Sequence, residues 1–226
     1  MQSGPLALLG SGEFLCVMDD LDRRLLAGRA PRVVHLPTAA GQEGARRLAY
    51  WRELAAEHFG RLGVEVETVE VVDRHSAHDP KLAGRVKGAG LVYLSGGNPR
   101  HLVSSLRGSP VWDAVLDVWH AGAGLAGCSA GAMAMAGVLP ALRAAASEAL
   151  GLLPTLSVIP HYDRFGKMMR PAARLHEKNV IVVGIDENTA MYGGPDEWTV
   201  HGAGMVHVSG AGARASYPAG SVFRTD

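Results

Sequence analysis

Residues 127–133, Gly-Cys-Ser-Ala-Gly-Ala-Met, leave their stretch of chain little choice of local fold. A serine with glycine two positions before and two after it, set between the apolar segments 122–127 and 130–136, is the mark of a strand that turns sharply into a helix. Only small side chains let strand and helix approach without collision, and the turn pushes the central hydroxyl of Ser129 out alone. The amide of Ala130 opens the helix, where backbone N–H groups point toward developing negative charge. A tight turn packed with small residues has the same composition, so the rest of the chain must decide between the two.

Composition narrows the surroundings of that turn. With 226 residues, 47% of them hydrophobic, the chain is long enough to bury a sizeable core as a single domain, residues 1–226. Lys plus Arg and Asp plus Glu number 22 each, and this zero net charge gives no electrostatic footprint for nucleic acid or an anionic membrane. A small neutral or zwitterionic substrate fits better. Cys16 and Cys128 are too few for a disulfide framework, so the expected compartment is the reducing cytoplasm. The first residues lack a basic region, the apolar run Leu6 to Leu9 is too short for a signal, and no stretch approaches a membrane span.

Read in order, the chain alternates short apolar runs, glycine turns and helical spacing. Pro5 to Leu9 ends in Gly10-Ser11-Gly12, followed by helical spacing over Phe14 to Ala27. That turn lacks the third glycine and the later acid of a dinucleotide fingerprint, so it reads as a simple connection and no nucleotide is expected. Arg32 to Leu36 predicts a strand, Gln42 to Gly60 an amphipathic helix, and the alternating Val64 to Val72 a strand nearer the sheet edge. Arg74 to Asp79 contains two histidines and an aspartate, but no second cluster adds ligands at a metal-binding spacing, so it reads as a polar loop and no metal is expected. Lys81 to Lys87, His101 to Arg107 and Val111 to His120 read as helices, and Gly90 to Leu94 as a buried strand. The turn Ser95-Gly96-Gly97-Asn98-Pro99 then lies at that strand's carboxyl end, where open parallel sheets place ligand sites. Pro140 to Leu153 has helical character, Thr155 to Ile159 is strand-like and ends at Pro160-His161, and Gly166 to Lys178 reads as a basic helix. Asn179 to Ile185 is the most strand-like stretch and leads into Asp186-Glu187. The tail from Ala190 predicts antiparallel strands finishing the sheet edge.

A serine hydroxyl is a poor nucleophile at neutral pH and needs a base within hydrogen-bond reach, itself oriented by an acceptor. His161 and Glu187, each at a strand end, supply such a pair, with Asp186 the competing acid. The order Ser, His, acid differs from the Ser, Asp, His order of α/β-hydrolases. Taken together, Gly96-Gly97-Asn98, the turn Gly127 to Ala132, Pro160-His161-Tyr162 and Gly184 to Ala190 resemble the dipeptidase E and cyanophycinase family of serine peptidases. The resemblance spans nearly the whole chain. It implies a class I glutamine amidotransferase-like fold, a three-layer α/β sandwich with a mostly parallel central sheet, and action on small aspartyl peptides without a cofactor. By position it makes Ser129 the nucleophile, His161 the base, Glu187 the orienting acid, and the Gly97 and Ala130 amides the oxyanion hole. Asn98, Arg170 and Asp186 are candidates for substrate contact, with Arg164 and Lys167 beside Arg170 in a partial arginine pattern. A cyanophycinase-like hydrolase of β-aspartyl-arginine peptides and a non-catalytic metabolite-binding protein on the same scaffold are the alternatives. A monomer or homodimer is expected.

Overall fold

The computed structural model describes residues 3–140, 146–166, 180–210 and 213–225. Five strands from the first half of the chain, β1 (Leu6–Leu9), β2 (Arg32–Leu36), β3 (Glu65–Thr68), β4 (Leu91–Leu94) and β5 (Gly124–Cys128), pair in parallel in the order β1-β5-β4-β2-β3. Their connections carry helices α1 (Asp19–Leu26), α2 (Ala45–Arg61), α3 (Arg74–Ala77), α4 (Pro80–Val86), α5 (Pro99–Leu106) and α6 (Pro110–His120), and α7 (Ala130–Met135) follows β5. Three of these helices are set by a cap and a proline together: Asp79, Ser109 and Asn98 each accept first-turn amides ahead of Pro80, Pro110 and Pro99.

Alternation along the strands divides the core into two layers. Leu6, Leu8, Val34, Leu36, Val92, Leu94 and Leu125 face α4 to α7, whereas Ala7, Leu9, Val33, Leu91, Tyr93, Ala126 and Cys128 face α1 and α2. A sheet covered on both faces in this way requires strands that are apolar throughout, as β1 and β4 are. The edge position expected for Val64 to Val72 is occupied by β3, whose Glu65 is exposed and whose other residues are only partly buried.

The second half departs from the sequence reading in several places. A hairpin pairs β6 (Val138–Leu139) with β7 (Ser147–Glu148), so the described part of Pro140 to Leu153 is not helical. The predicted basic helix Gly166 to Lys178 lies almost wholly outside the described residues. After β8 (Leu156–Ile159) and the single-turn helix α8 (Tyr162–Phe165), the chain continues into β9 (Ile181–Ile185), β10 (Thr189–Gly193), β11 (Glu197–Gly202), β12 (Met205–Gly210), β13 (Ala213–Pro218) and β14 (Val222–Arg224). The tail does not simply extend one sheet. β10, β11 and β14 add antiparallel to β1 and complete an eight-stranded sheet, while β12 and β13 join β9 and β8 in a separate four-stranded sheet. Arg74 to Asp79 is likewise more ordered than a loop, because Asp73 and Ser76 form a capping box that nucleates α3.

Candidate active site

The carboxyl ends of β1, β4 and β5 meet at one edge of the large sheet, and those of β8 and β9 at one edge of the smaller sheet. At the end of β5, Ser129 adopts φ 48° and ψ −107°, with its N–H donating to the Leu9 carbonyl at 2.9 Å and its own carbonyl accepting the Met133 N–H at 3.0 Å. The glycines around it are required by contact. A Cβ at Gly131 would sit 2.2 Å from the Leu94 carbonyl oxygen, and one at Gly127 would sit 2.6 Å from the Gly131 carbonyl carbon. Cys128 turns into the core, fully buried, and burial pushes its thiol well above the usual range, with the neighbouring Glu13 adding to the shift.

His161 follows β8 in a left-handed conformation, φ 50° and ψ 41°, and its carbonyl accepts the Arg164 and Phe165 N–H groups of the α8 turn. This places the two ring nitrogens between two segments. Nε2 lies 3.0 Å from Ser129 Oγ, and Nδ1 lies 3.0 Å from Glu187 Oε1. Glu187 is held in turn, since its Oε2 pairs with Arg164 Nε at 2.8 Å and its backbone N–H donates to Asp163 Oδ1 at 2.9 Å. Arg164, a sequence candidate for substrate contact, is thus engaged with this carboxylate.

Asp186 points the other way. Its Oδ2 accepts the Met205 N–H at 2.9 Å and its Oδ1 lies 3.1 Å from His207 Nε2, while His207 Nδ1 lies 2.8 Å from Ser216 Oγ. Adjacent residues at a strand end project to opposite sides, which separates the two acids. Tyr162 lies over the His207 ring at 4.6 Å, and a cavity of about 590 Å³ opens here, bordered by Asp163, Asp186, His207 and Arg214 but not by Ser129.

Gly97, with φ 141°, lies so close to Ala39 that a Cβ would be 2.5 Å from its carbonyl. The next residue, Asn98, donates its N–H to the Ala39 oxygen at 2.8 Å, while its side chain accepts the Arg100 and His101 amides and reaches Gln42 at 3.5 Å. Among the described residues, neither the Gly97 nor the Ala130 N–H has a hydrogen-bond acceptor, so both remain available at the turn. Arg170 and Lys167 lie outside the described residues. No group of three or more His, Cys, Asp or Glu residues with metal-binding geometry occurs among the described residues, and none of their helices is long and apolar enough to cross a membrane.

Sequence reasoning missed the loop after β1. Read as a simple connection, it touches the segments that carry Gly97, Ser129 and Glu187. Ser11 Oγ accepts the Asn188 N–H at 3.0 Å, and Glu13 accepts the Gly96 N–H at 3.1 Å and the Cys128 S–H at 2.8 Å. A hydroxyl and an acid directly after a buried strand were the available signal. Backbone strain marks the same region: the non-glycine residues with positive φ among those described are Phe14, Ser129, His161 and Asn188.

The profile of Peptidase family S51 matches residues 6–200. No curated protein sequence gives a significant match. The crystal structure of a peptidase from an acI-B1 Actinobacterium is similar at a TM-score of 0.90 and 33% identity, with 99% of this chain and 97% of that chain covered. A Listeria monocytogenes EGD-e protein, described as a candidate peptidase E, has the same fold at a TM-score of 0.67 and 18% identity, with 89% of this chain and 99% of that chain covered. The family match runs from β1 to β11 and so takes in the strand ends that carry Ser129, His161 and Glu187: the chain belongs to peptidase family S51, the dipeptidase E family of serine peptidases.

Proposed function

We propose that this peptidase hydrolyses small aspartyl peptides through an acyl-enzyme on Ser129, with His161 as general base and Glu187 as the acid that orients it. The observation that carries the reading is the unbroken relay of two 3.0 Å contacts, Ser129 Oγ to His161 Nε2 and His161 Nδ1 to Glu187 Oε1. Glu187 accepts a hydrogen bond from Nδ1–H, which leaves Nε2 free to take the proton from the serine hydroxyl as Oγ attacks the scissile carbonyl. The carbonyl oxygen becomes an oxyanion, and the unspent N–H groups of Gly97 and Ala130 are its donors. His161 then returns its proton to the leaving amine, and in the second half-reaction it takes one from water to release the acyl group.

The chain works in this reading as one domain. Every step uses its own side chains and amides, so no cofactor is invoked. The aspartyl preference comes from the dipeptidase E resemblance. With Arg164 engaged by Glu187, the partial arginine pattern loses one candidate for the arginine-rich recognition of a β-aspartyl-arginine polymer.

The test is a substrate screen of N-terminal aspartyl dipeptides, isoaspartyl dipeptides and the β-aspartyl-arginine polymer with wild type and Ser129→Ala. Turnover of aspartyl dipeptides by wild type alone is the expected result. Turnover of the polymer alone, or undiminished hydrolysis by Ser129→Ala, overturns it.

A further inference from the structure

Beneath the turn that carries Ser129 lies a carboxyl group that no cation among the described residues pairs with. Glu13 is 8% exposed, and its contacts among the described residues are two neutral donors: the Gly96 N–H on Oε1 at 3.1 Å and the Cys128 S–H on Oε2 at 2.8 Å. Removing a carboxyl group from water without a paired charge is costly, and an apolar side chain would serve the core better. What the carboxyl does instead is join two segments far apart in sequence. Gly96 immediately precedes Gly97, and Cys128 immediately precedes Ser129 and Ala130. One oxygen therefore holds the Gly96 amide next to Gly97, and the other holds the Cys128 side chain two residues before Ala130. A Cβ placed on Gly96 would lie 3.1 Å from Glu13 Oε1 and 3.5 Å from Ser129 Cβ, so the carboxyl and the serine flank the same glycine.

The backbone that presents Glu13 is strained on purpose. Phe14 sits at φ 64°, a conformation costly for a bulky residue, and such strain persists only where surrounding structure over-determines it. The surroundings here do so. The Phe14 ring is boxed by His35, Trp51, Phe59 and Tyr93 at centroid distances of 5.2, 6.4, 5.9 and 4.9 Å. With Phe14 locked into the core, Glu13 has one direction to take, toward Gly96 and Cys128. Burial also keeps the Cys128 thiol protonated, so its S–H stays available as donor.

We infer that Glu13 is a positioning residue that fixes the Gly97 and Ala130 amides relative to one another, a role that rests on reading Ser129 as the nucleophile. With its N–H committed to the carboxyl, Gly96 has the peptide joining it to Ser95 fixed, and this anchors the chain one residue ahead of the Gly97 N–H. Glu13 acts through the backbone and touches no substrate.

The experiment compares wild type, Glu13→Gln and Glu13→Met. Gln keeps an acceptor for Gly96, whereas Met fills the same volume with none. Two readouts are taken: the rate of Ser129 phosphonylation by diisopropyl fluorophosphate, whose phosphoryl oxygen needs the same donors, and kcat and KM on aspartyl p-nitroanilide. Glu13→Met is expected to label on the order of 10²-fold more slowly, with kcat falling in parallel and KM within about twofold of wild type. Glu13→Gln is expected to stay within about fivefold of wild type on both readouts. Cys128→Ala removes the second tether and gives a milder loss, and adding it to Glu13→Met gives no further loss, because both act through one carboxyl. Wild-type labelling rates in Glu13→Met, an equal loss in Glu13→Gln and Glu13→Met, or additive losses in the double variant would each overturn the role of Glu13. Failure of wild type itself to label at Ser129 removes the serine-nucleophile reading, and the positioning role with it.

Discussion

His161 Nδ1 and Glu187 Oε1 lie 3.0 Å apart although neither residue belongs to a regular strand: each sits just beyond the end of one of two neighbouring parallel strands, β8 and β9. Register sets this distance. Ile159 pairs with Gly184, one residue before the end of β9, so His161 and Glu187, each two residues past the last residue of its strand, emerge close together.

That pairing carries the first prediction. In Glu187→Gln the amide nitrogen is placed to donate to Nδ1, which moves the imidazole proton to Nε2 and leaves no lone pair for the Ser129 hydroxyl. A fall in kcat on the order of 10²- to 10⁴-fold is expected, with KM nearly unchanged. Arg164, on the opposite oxygen of Glu187, is 65% exposed, and exposed ion pairs contribute up to about 1 kcal/mol. Arg164→Ala should therefore lower kcat by no more than about fivefold. Steady-state kinetics of the two variants side by side check both statements, and equal losses would contradict them.

A second prediction concerns stability at the turn. Ser129 holds a positive φ of 48°, which glycine adopts without a Cβ penalty and alanine does not. Ser129→Gly and Ser129→Ala both remove the hydroxyl and should both be inactive. Ser129→Gly should nevertheless be the more stable by on the order of 1 kcal/mol. Urea unfolding of the two inactive proteins gives the difference directly, and a more stable alanine variant would show that the turn is unstrained.

A third prediction follows from His35, fully buried behind the Gly96-Gly97 turn. Its ring nitrogens lie 3.1 Å from Thr68 Oγ1 and 3.0 Å from Ser95 Oγ, and burial lowers its pKa from 6.5 to about 3. The unfolded chain takes up a proton on this residue below about pH 6.5, while the folded chain stays neutral until about pH 3. Stability therefore falls with acidification across that window, by up to about 1.4 kcal/mol per pH unit. Between pH 7 and pH 5 wild type should lose about 2 kcal/mol more than His35→Gln, which lacks the titrating ring. Urea titrations at both pH values check this, and parallel losses would remove His35 as the cause.

The parts of the site that were legible in the sequence are those written locally. Gly127 to Gly131 announces its own turn because small residues are required at fixed spacing, and His161 and Glu187 each follow a run of apolar, largely β-branched residues that any reading takes as a strand. Helices α4, α5 and α6 were legible for a similar reason, each starting at a capping residue and a proline. What escaped depends on partners distant in the chain. β9 and β1 look alike as apolar runs, yet one joins the small sheet and the other the centre of the large one, a choice made by pairing rather than by composition. Glu13 escaped because its neighbours come from residues 96 and 128. The helix α3 was missed for its length, since four residues are too few for a period to show.

The central place of β1 has a consequence for how the enzyme comes into being. Leu9 pairs with Cys128 on one side and with Ala190 on the other, so β1 is enclosed only by strands that are made after it. Such distant pairing is slow to close, and during synthesis Leu6 to Leu9 waits with both edges open. In the loop it carries, Glu13 meets its partners Gly96 and Cys128 early, whereas Ser11 gains its contact only when Asn188 has folded back. Ser129 is thus synthesised before all the partners of the loop beside it are in place.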